Sequence, residues 1–162
     1  MARRKARELA FRTLFQAERG GGDLVEVWEQ VRADLATDLN NSEETEAAET
    51  YGDALDTEGI AFADRLVRTF AAQQGDIDKE LEDAIEGWSF GQMAQTDLNV
   101  LRLALTELHF EASVPTQVTI EIAIRIAKKY GGEESGRFVN GVLAKLVRNH
   151  ALAAEAKSPT QV

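Results

Sequence analysis

Apolar residues along the chain recur at spacings of three and four, the mark of amphipathic helices. Residues 4 to 19 hold no glycine or proline and run into Gly20-Gly21-Gly22, which predicts a first helix ended by an abrupt loss of propensity. At about 100° per residue, Ala6, Leu9, Ala10, Phe11, Thr13, Leu14 and Ala17 form one arc, and Arg4, Lys5, Glu8, Arg12, Phe15 and Arg19 the opposite one. Phe15 thus sits among bases. Leu24, Trp28, Val31 and Leu35 repeat at helical spacing for a second helix. Residues 37 to 54 then turn acidic, polar and pattern-free, and read as a solvated insertion.

Phe62, Leu66 and Phe70, flanked by Ile60, Ala63 and Val67, predict a third helix over roughly 57 to 74. Gly75 is expected to break it, with Asp76 capping a short helix whose Ile77, Leu81 and Ile85 recur before Trp88 closes the segment. Residues 97 to 110 are apolar nearly all the way round, so this helix should lie at the centre of the core. Pro115 suits the first turn of the next helix, which buries Val118, Ile122, Ile126 and Tyr130 and stops at Gly131-Gly132. A last helix over about 133 to 150 uses Phe138, Val139, Val142, Leu143, Leu146 and Val147, and the tail from 151 to 162 is expected to fray. Within that helix, Asn140-Gly141 predicts close helix packing, since glycine there costs about 1 kcal/mol relative to alanine. No alternating stretch of strand length competes with these elements. The expected architecture is all-α, with about seven helices in two subdomains sharing one core, forming a single domain over residues 1–150.

Composition adds constraints. The 162 residues carry a net charge of −10 and no cysteine, which excludes thiolate catalysis, disulfides and cysteine-ligated metals and suits a cytoplasmic location. No apolar run approaches the roughly 18 residues of a membrane span, and Met1-Ala-Arg-Arg-Lys-Ala-Arg lacks the apolar stretch of a signal peptide, so no membrane partner is expected. The charge is unevenly spread. Residues 1 to 12 carry Arg3, Arg4, Lys5, Arg7 and Arg12 against Glu8 alone, whereas residues 23 to 64 hold thirteen acids against Arg32. Residues 125 to 148 are basic again, through Arg125, Lys128, Lys129, Arg137, Lys145 and Arg148. Screening over about 8 Å lets a local basic face act against the net charge.

The common catalytic and nucleotide-binding spacings are absent: no GxxxxGK[ST], GxGxxG, HExxH or GxSxG occurs. Asp38, Asn40, Ser42 and Glu49 fit a calcium-loop register, but Glu43 stands where its turn glycine belongs. His109 and His150 each end a helix and read as structural, and Arg102, inside an apolar helix, reads as a structural ion partner. The expectation is a protein without catalysis, cofactor or metal. What remains is a basic first helix carrying an aromatic residue, and single-stranded RNA is held by cations along its backbone and flat side chains against its bases.

Several segments together resemble one family. Arg-Arg-Lys-Ala-Arg-Glu-Leu-Ala-Phe-Arg-Thr-Leu-Phe-Gln at 3 to 16, Val-Leu-Arg-Leu-Ala-Leu-Thr-Glu-Leu at 100 to 108, Val114-Pro115, Ala-Lys-Lys-Tyr-Gly at 127 to 131 and Phe-Val-Asn-Gly-Val-Leu at 138 to 143 resemble the NusB family of transcription antitermination factors in order and spacing. The resemblance implies a non-enzymatic role: binding the boxA element of ribosomal-RNA transcripts, with ribosomal protein NusE, in the transcription elongation complex. Carried over by motif position, Arg3, Arg4, Lys5 and Arg7 look like the RNA-binding arm, with Arg12 on the same helix. Phe15 and Asp97 resemble positions on the family's NusE-facing surface. Glu134 and Phe138 match positions near the RNA, and Lys128, Lys129 and Arg137 extend that rim. Phe138, at helical spacing with Val142, fits a core position equally well. Glu121-Ile122-Ala123 and Gln92 depart from the family pattern. The rival reading is a helical protein-interaction module whose RNA face is covered in a homodimer.

Overall fold

The computed structural model describes residues 3–41, 55–85 and 90–157. Six α-helices account for most of these: α1 (Arg4–Gly20), α2 (Leu24–Asn41), α3 (Thr57–Ala84), α4 (Gln95–Phe110), α5 (Thr116–Gly131) and α6 (Glu133–Lys157), with a 3-10 turn at Phe90–Gln92 before α4. The all-α class and the two helical groups agree with the sequence. Helices α1 to α3 form one group, α4 to α6 the other, and one continuous apolar core runs through both.

The near-uniform apolarity of α4 explains its place. Leu98, Val100, Leu101, Leu103, Ala104 and Leu105 are all buried, and α4 packs against α1, α3, α5 and α6. A helix with one polar face could satisfy only some of these neighbours. On α1 the expected arc is buried, with Leu9 half-covered. Pro115 caps α5 from outside, immediately before Thr116, with its carbonyl accepting the Val118 N–H at 3.0 Å.

Three boundaries differ from the periodicity. Gly75 does not end a helix: α3 continues through it, and Asp76 caps nothing. The apolar stripe explains this, because Ile77, Leu81 and Ala84 continue in phase with Phe70, and their burial outweighs one glycine. The start of the acidic insertion is helical, since α2 runs to Asn41, while residues 42 to 54 lie outside the described residues, as do Trp88 and residues 158 to 162. The expected tail begins as helix, with α6 reaching Lys157.

The glycines separate into two kinds. A Cβ on Gly131 would lie 2.3 Å from Ser135 Oγ, so the α5–α6 turn needs glycine for close approach. Gly141 is exposed with nothing within 4 Å of a Cβ, so intramolecular packing does not account for it, contrary to the expectation.

Between α2 and α3, Asp64 accepts Trp28 Nε1 at 2.7 Å and Arg68 Nε at 2.8 Å. Burial pushes the Asp64 carboxyl up, but the hydrogen bonds from Trp28 and Arg68 and the charges of Arg68 and Arg32 outweigh it and hold its pKa below 3.8. A carboxylate depressed in the folded state stabilises the fold above its unfolded pKa and ceases to as pH falls through its folded one. Thermal unfolding should therefore show Asp64→Asn less stable than the parent at neutral pH, with the gap closing below pH 3.8. Gly75→Ala should raise stability by about 0.5–1 kcal/mol, because nothing obstructs a Cβ there and helix propensity improves. A lower melting temperature would mean that α3 needs a break at 75.

Candidate nucleic-acid interface

The start of α1 breaks local rules for a stable helix. Its first turn holds no acid, Arg3 makes no side-chain cap hydrogen bond, and Arg3 adopts φ 52°, ψ 38°, in the left-handed region. Cations beside the positive end of a helix dipole are unfavourable, and a left-handed non-glycine residue costs about 1–3 kcal/mol. An anion at this end would meet both the dipole and the bases. Arg3 is held from one side: its guanidinium lies 3.6 Å from Glu58 and 5.1 Å above the Phe62 ring. Arg4 and Lys5 are half-buried beside it, and Arg12 is exposed one helix face away.

Arg7 requires a correction. The sequence places it among the arm's phosphate contacts, but the structure buries it at 6% exposure. Its Nε and Nη2 donate to Glu107 at 2.7 and 2.6 Å, and its guanidinium stacks 4.8 Å from the Phe62 ring. The Thr119 hydroxyl donates to the same carboxylate. Arg7 is therefore spent on joining α1, α4 and α5, and positions the arm from below. Sequence holds one hint of this: Glu107 is an acid within an apolar helix, where an unpaired charge would be prohibitive.

A second link sets α1 against the α5–α6 corner. Lys129 Nζ donates to Glu8 at 2.7 Å, and that hydrogen bond, opposed by partial burial and aided by the Glu8 charge, raises the lysine's pKa above 10.5. Phe11 and Tyr130 rings meet at 4.9 Å. The stem of Lys128 crosses Gly136, where a Cβ would stand 2.6 Å from Lys128 Cγ, and its ammonium lies 3.8 Å from Glu133. Glu134 and Arg137 are exposed at the start of α6, while Phe138 is half-buried against the core. The basic rim expected from Lys128 and Lys129 thus consists of exposed but ion-paired lysines.

Phe15 lies away from the arm's first turn. With Phe11, Arg12, Gln16, Thr96 and Tyr130 it lines a groove of about 320 Å³, and Arg19 stacks 5.6 Å from its ring. Asp97, next to Thr96, is nearly buried, and its Oδ1 has no hydrogen-bond partner among the described residues. Tyr130, counted as core from its spacing, is 40% exposed and forms a wall of this groove. Arg102 is structural, held by Asp78 at 2.9 and 3.0 Å. His109 Nε2 lies 3.0 Å from Glu80 on the surface, and the side chain of His150 lies outside the described residues.

The six helices of the described residues, on a shared core, with a cationic start to α1 and an aromatic groove farther along it, define an all-helical scaffold. The chain belongs to the NusB family, whose model matches residues 4–148. The transcription antitermination protein NusB of Thermus thermophilus is 47% identical over 156 residues, covering 96% of each chain. Its counterpart from Deinococcus deserti is 46% identical over 159 residues, covering 98% of this chain and 88% of the relative. Among solved structures, NusB of T. maritima superposes with a TM-score of 0.72 at 37% identity over 90% of both chains. A crystal structure of antitermination factors NusB and NusE in complex with double-stranded RNA gives 0.73 at 25% identity, covering 91% of this chain and 97% of that one.

Removing one partner of a buried ion pair leaves an uncompensated charge and costs about 3–5 kcal/mol. Arg7→Ala should show that loss in chemical denaturation, and Arg7→Met with Glu107→Leu should recover most of it. A loss below about 1 kcal/mol would instead place Arg7 in solvent.

Proposed function

We propose that the protein is an RNA-binding transcription antitermination factor that holds boxA-type single-stranded RNA of ribosomal-RNA transcripts together with a NusE-type ribosomal protein, in the elongation complex of the cytoplasm. Family membership supports the role, and the solved relative in complex with NusE and RNA supports the partner classes. The observation that carries the reading is the uncapped, cationic start of α1, tied through Glu8 and Lys129 to the corner where α6 begins.

Arg3, Arg4, Lys5 and Arg12 are the candidate phosphate contacts, and Arg137, Glu134 and Phe138 the candidate contacts at the α6 side. Lys128 and Lys129 contribute field and rim; Arg7 supports from beneath. Phe15, its groove and Asp97 are the candidate surface for the protein partner. The groove offers aromatic walls suited to an apolar residue of the partner, with Asp97 next to its Thr96. The mode of action is binding, with specificity supplied by RNA bases and partner together. No helix among the described residues is long and apolar enough to cross a membrane.

Four cations on a single strand predict a slope of log affinity against log salt of about −3, at roughly −0.7 per contact. Fluorescence anisotropy with a boxA-like RNA and a scrambled strand should show that slope, a preference for boxA, and tighter binding with NusE present. Arg4→Glu with Lys5→Glu should abolish binding while the circular dichroism stays unchanged. A slope near zero, or equal binding of both strands in every condition, would sink the reading.

A further inference from the structure

A second groove opens at the far end of α1, where α1, the start of α2, the middle of α3 and α4 meet. It encloses about 320 Å³, and Leu14, Glu18, Asp23, Phe70, Asn99 and Arg102 are among its lining. At about 30 Å³ per water, that is room for roughly ten waters or one long side chain. It lies about 21 Å from Arg4, counting 1.5 Å per residue along α1.

Asn99 makes this groove unusual. Its side chain is fully buried at 0% exposure; Oδ1 accepts from Arg102 Nη1 at 3.4 Å, and Nδ2 has no hydrogen-bond partner among the described residues. A buried amide donor without an acceptor is destabilising unless something supplies one. The donors already present are committed. Arg102 is gripped by Asp78 and sits 5.5 and 5.6 Å from the rings of Phe70 and Phe90.

The carboxylates retain capacity. Glu18 reaches Arg102 only at 3.4 Å, with its side chain 33% exposed, and accepts from the Gln95 amide once that amide is turned to the orientation that satisfies it. Asp23 Oδ2 accepts the Glu26 N–H at 3.1 Å at the start of α2, and Oδ1 remains to accept. Two carboxylates thus face the groove beside a guanidinium that Asp78 neutralises. Phosphate is repelled there and a cation is favoured.

We propose that this groove docks an arginine side chain of a protein partner, its guanidinium donating to Glu18 and Asp23 and, like Asn99 Nδ2, to a groove water between them. A planar fork of donors matches carboxylates at two points, and the methylene stem lies along Leu14, Leu24 and Phe70. The site uses none of the arm's cations, so it stands or falls apart from RNA binding.

The test is a titration of the isotope-labelled full chain with acetyl-Gly-Arg-Gly-amide, and with the same peptide carrying neutral citrulline, followed by two-dimensional amide NMR. The arginine peptide should give saturable shifts at the Asn99 side-chain amide and at Gly22, Phe70 and Gln74, with citrulline about tenfold weaker because its hydrogen bonds lack the charge. Asn99→Leu and Glu18→Gln should each weaken binding about tenfold. Asn99→Leu should keep or raise the melting temperature, since it removes an orphaned donor; if it fails to fold, Glu18→Gln and the citrulline comparison decide. Absence of saturable shifts, or equal shifts with both peptides, would show a hydrated pocket only and overturn the proposal. Loss of boxA anisotropy in Glu18→Gln would also overturn it, by placing the groove on the RNA path.

Discussion

Arg7 and Glu107 stand a hundred residues apart and meet inside the protein, and the orientation of α1 depends on that meeting. Taking a guanidinium and a carboxylate out of water costs several kcal/mol each, which their attraction returns only when the geometry is right. Here two parallel hydrogen bonds, the Thr119 hydroxyl and the face of Phe62 complete the shell. The apolar arc of α1 is mostly alanine and leucine, and alone would tolerate sliding or rotation on α4. The ion pair does not, because a displacement of an ångström strands two buried charges. It therefore fixes how the basic first turn leaves the core.

That constraint divides the basic residues by role. Five bases in the first twelve positions look alike in sequence, yet one of them is structural. Lys129 and Glu8 make the same distinction on the neighbouring face: a half-exposed lysine holds a buried glutamate, and α5 is thereby drawn against α1. These two links converge on α1, one through α4 and one through α5. The uncapped start of α1 has no acid in its own first turn, and the carboxylate that meets Arg3, that of Glu58, comes from α3. Natural helices break such local rules chiefly at functional sites.

Much of the scaffold was legible in the sequence. The unbroken apolarity of residues 98 to 105 placed α4 at the centre, and the arc of α1 was read residue by residue. The failures share one cause: periodicity sees only neighbours along the chain. It read Gly75 as a break because it could not see that Ile77 and Leu81 have a surface waiting for them. The run of bases and the family resemblance likewise put Arg7 with the RNA-binding arm, because neither sees Glu107 on another helix. Periodicity explained Gly141 by packing that does not exist. Of the candidate site, the charges were legible and their pairings were not. The aromatic groove was half legible: Phe15 stood out among bases, but Tyr130, at a core-like spacing in the last turn of α5, is on the surface.

An overall charge of −10 opposes an anionic ligand only through acids within screening range of it. Arg4 and Glu18 lie about 21 Å apart along α1 at 1.5 Å per residue, more than twice the roughly 8 Å screening length at physiological salt. Glu18 and Asp23 at one end are nearly invisible to a phosphate at Arg3, Arg4 and Lys5. The acids instead act where they stand, at the groove on Asn99 and in the α2–α3 network around Asp64. One helix then carries a cationic end and an acidic end, with a buried ion pair near the first end holding both in register with the core.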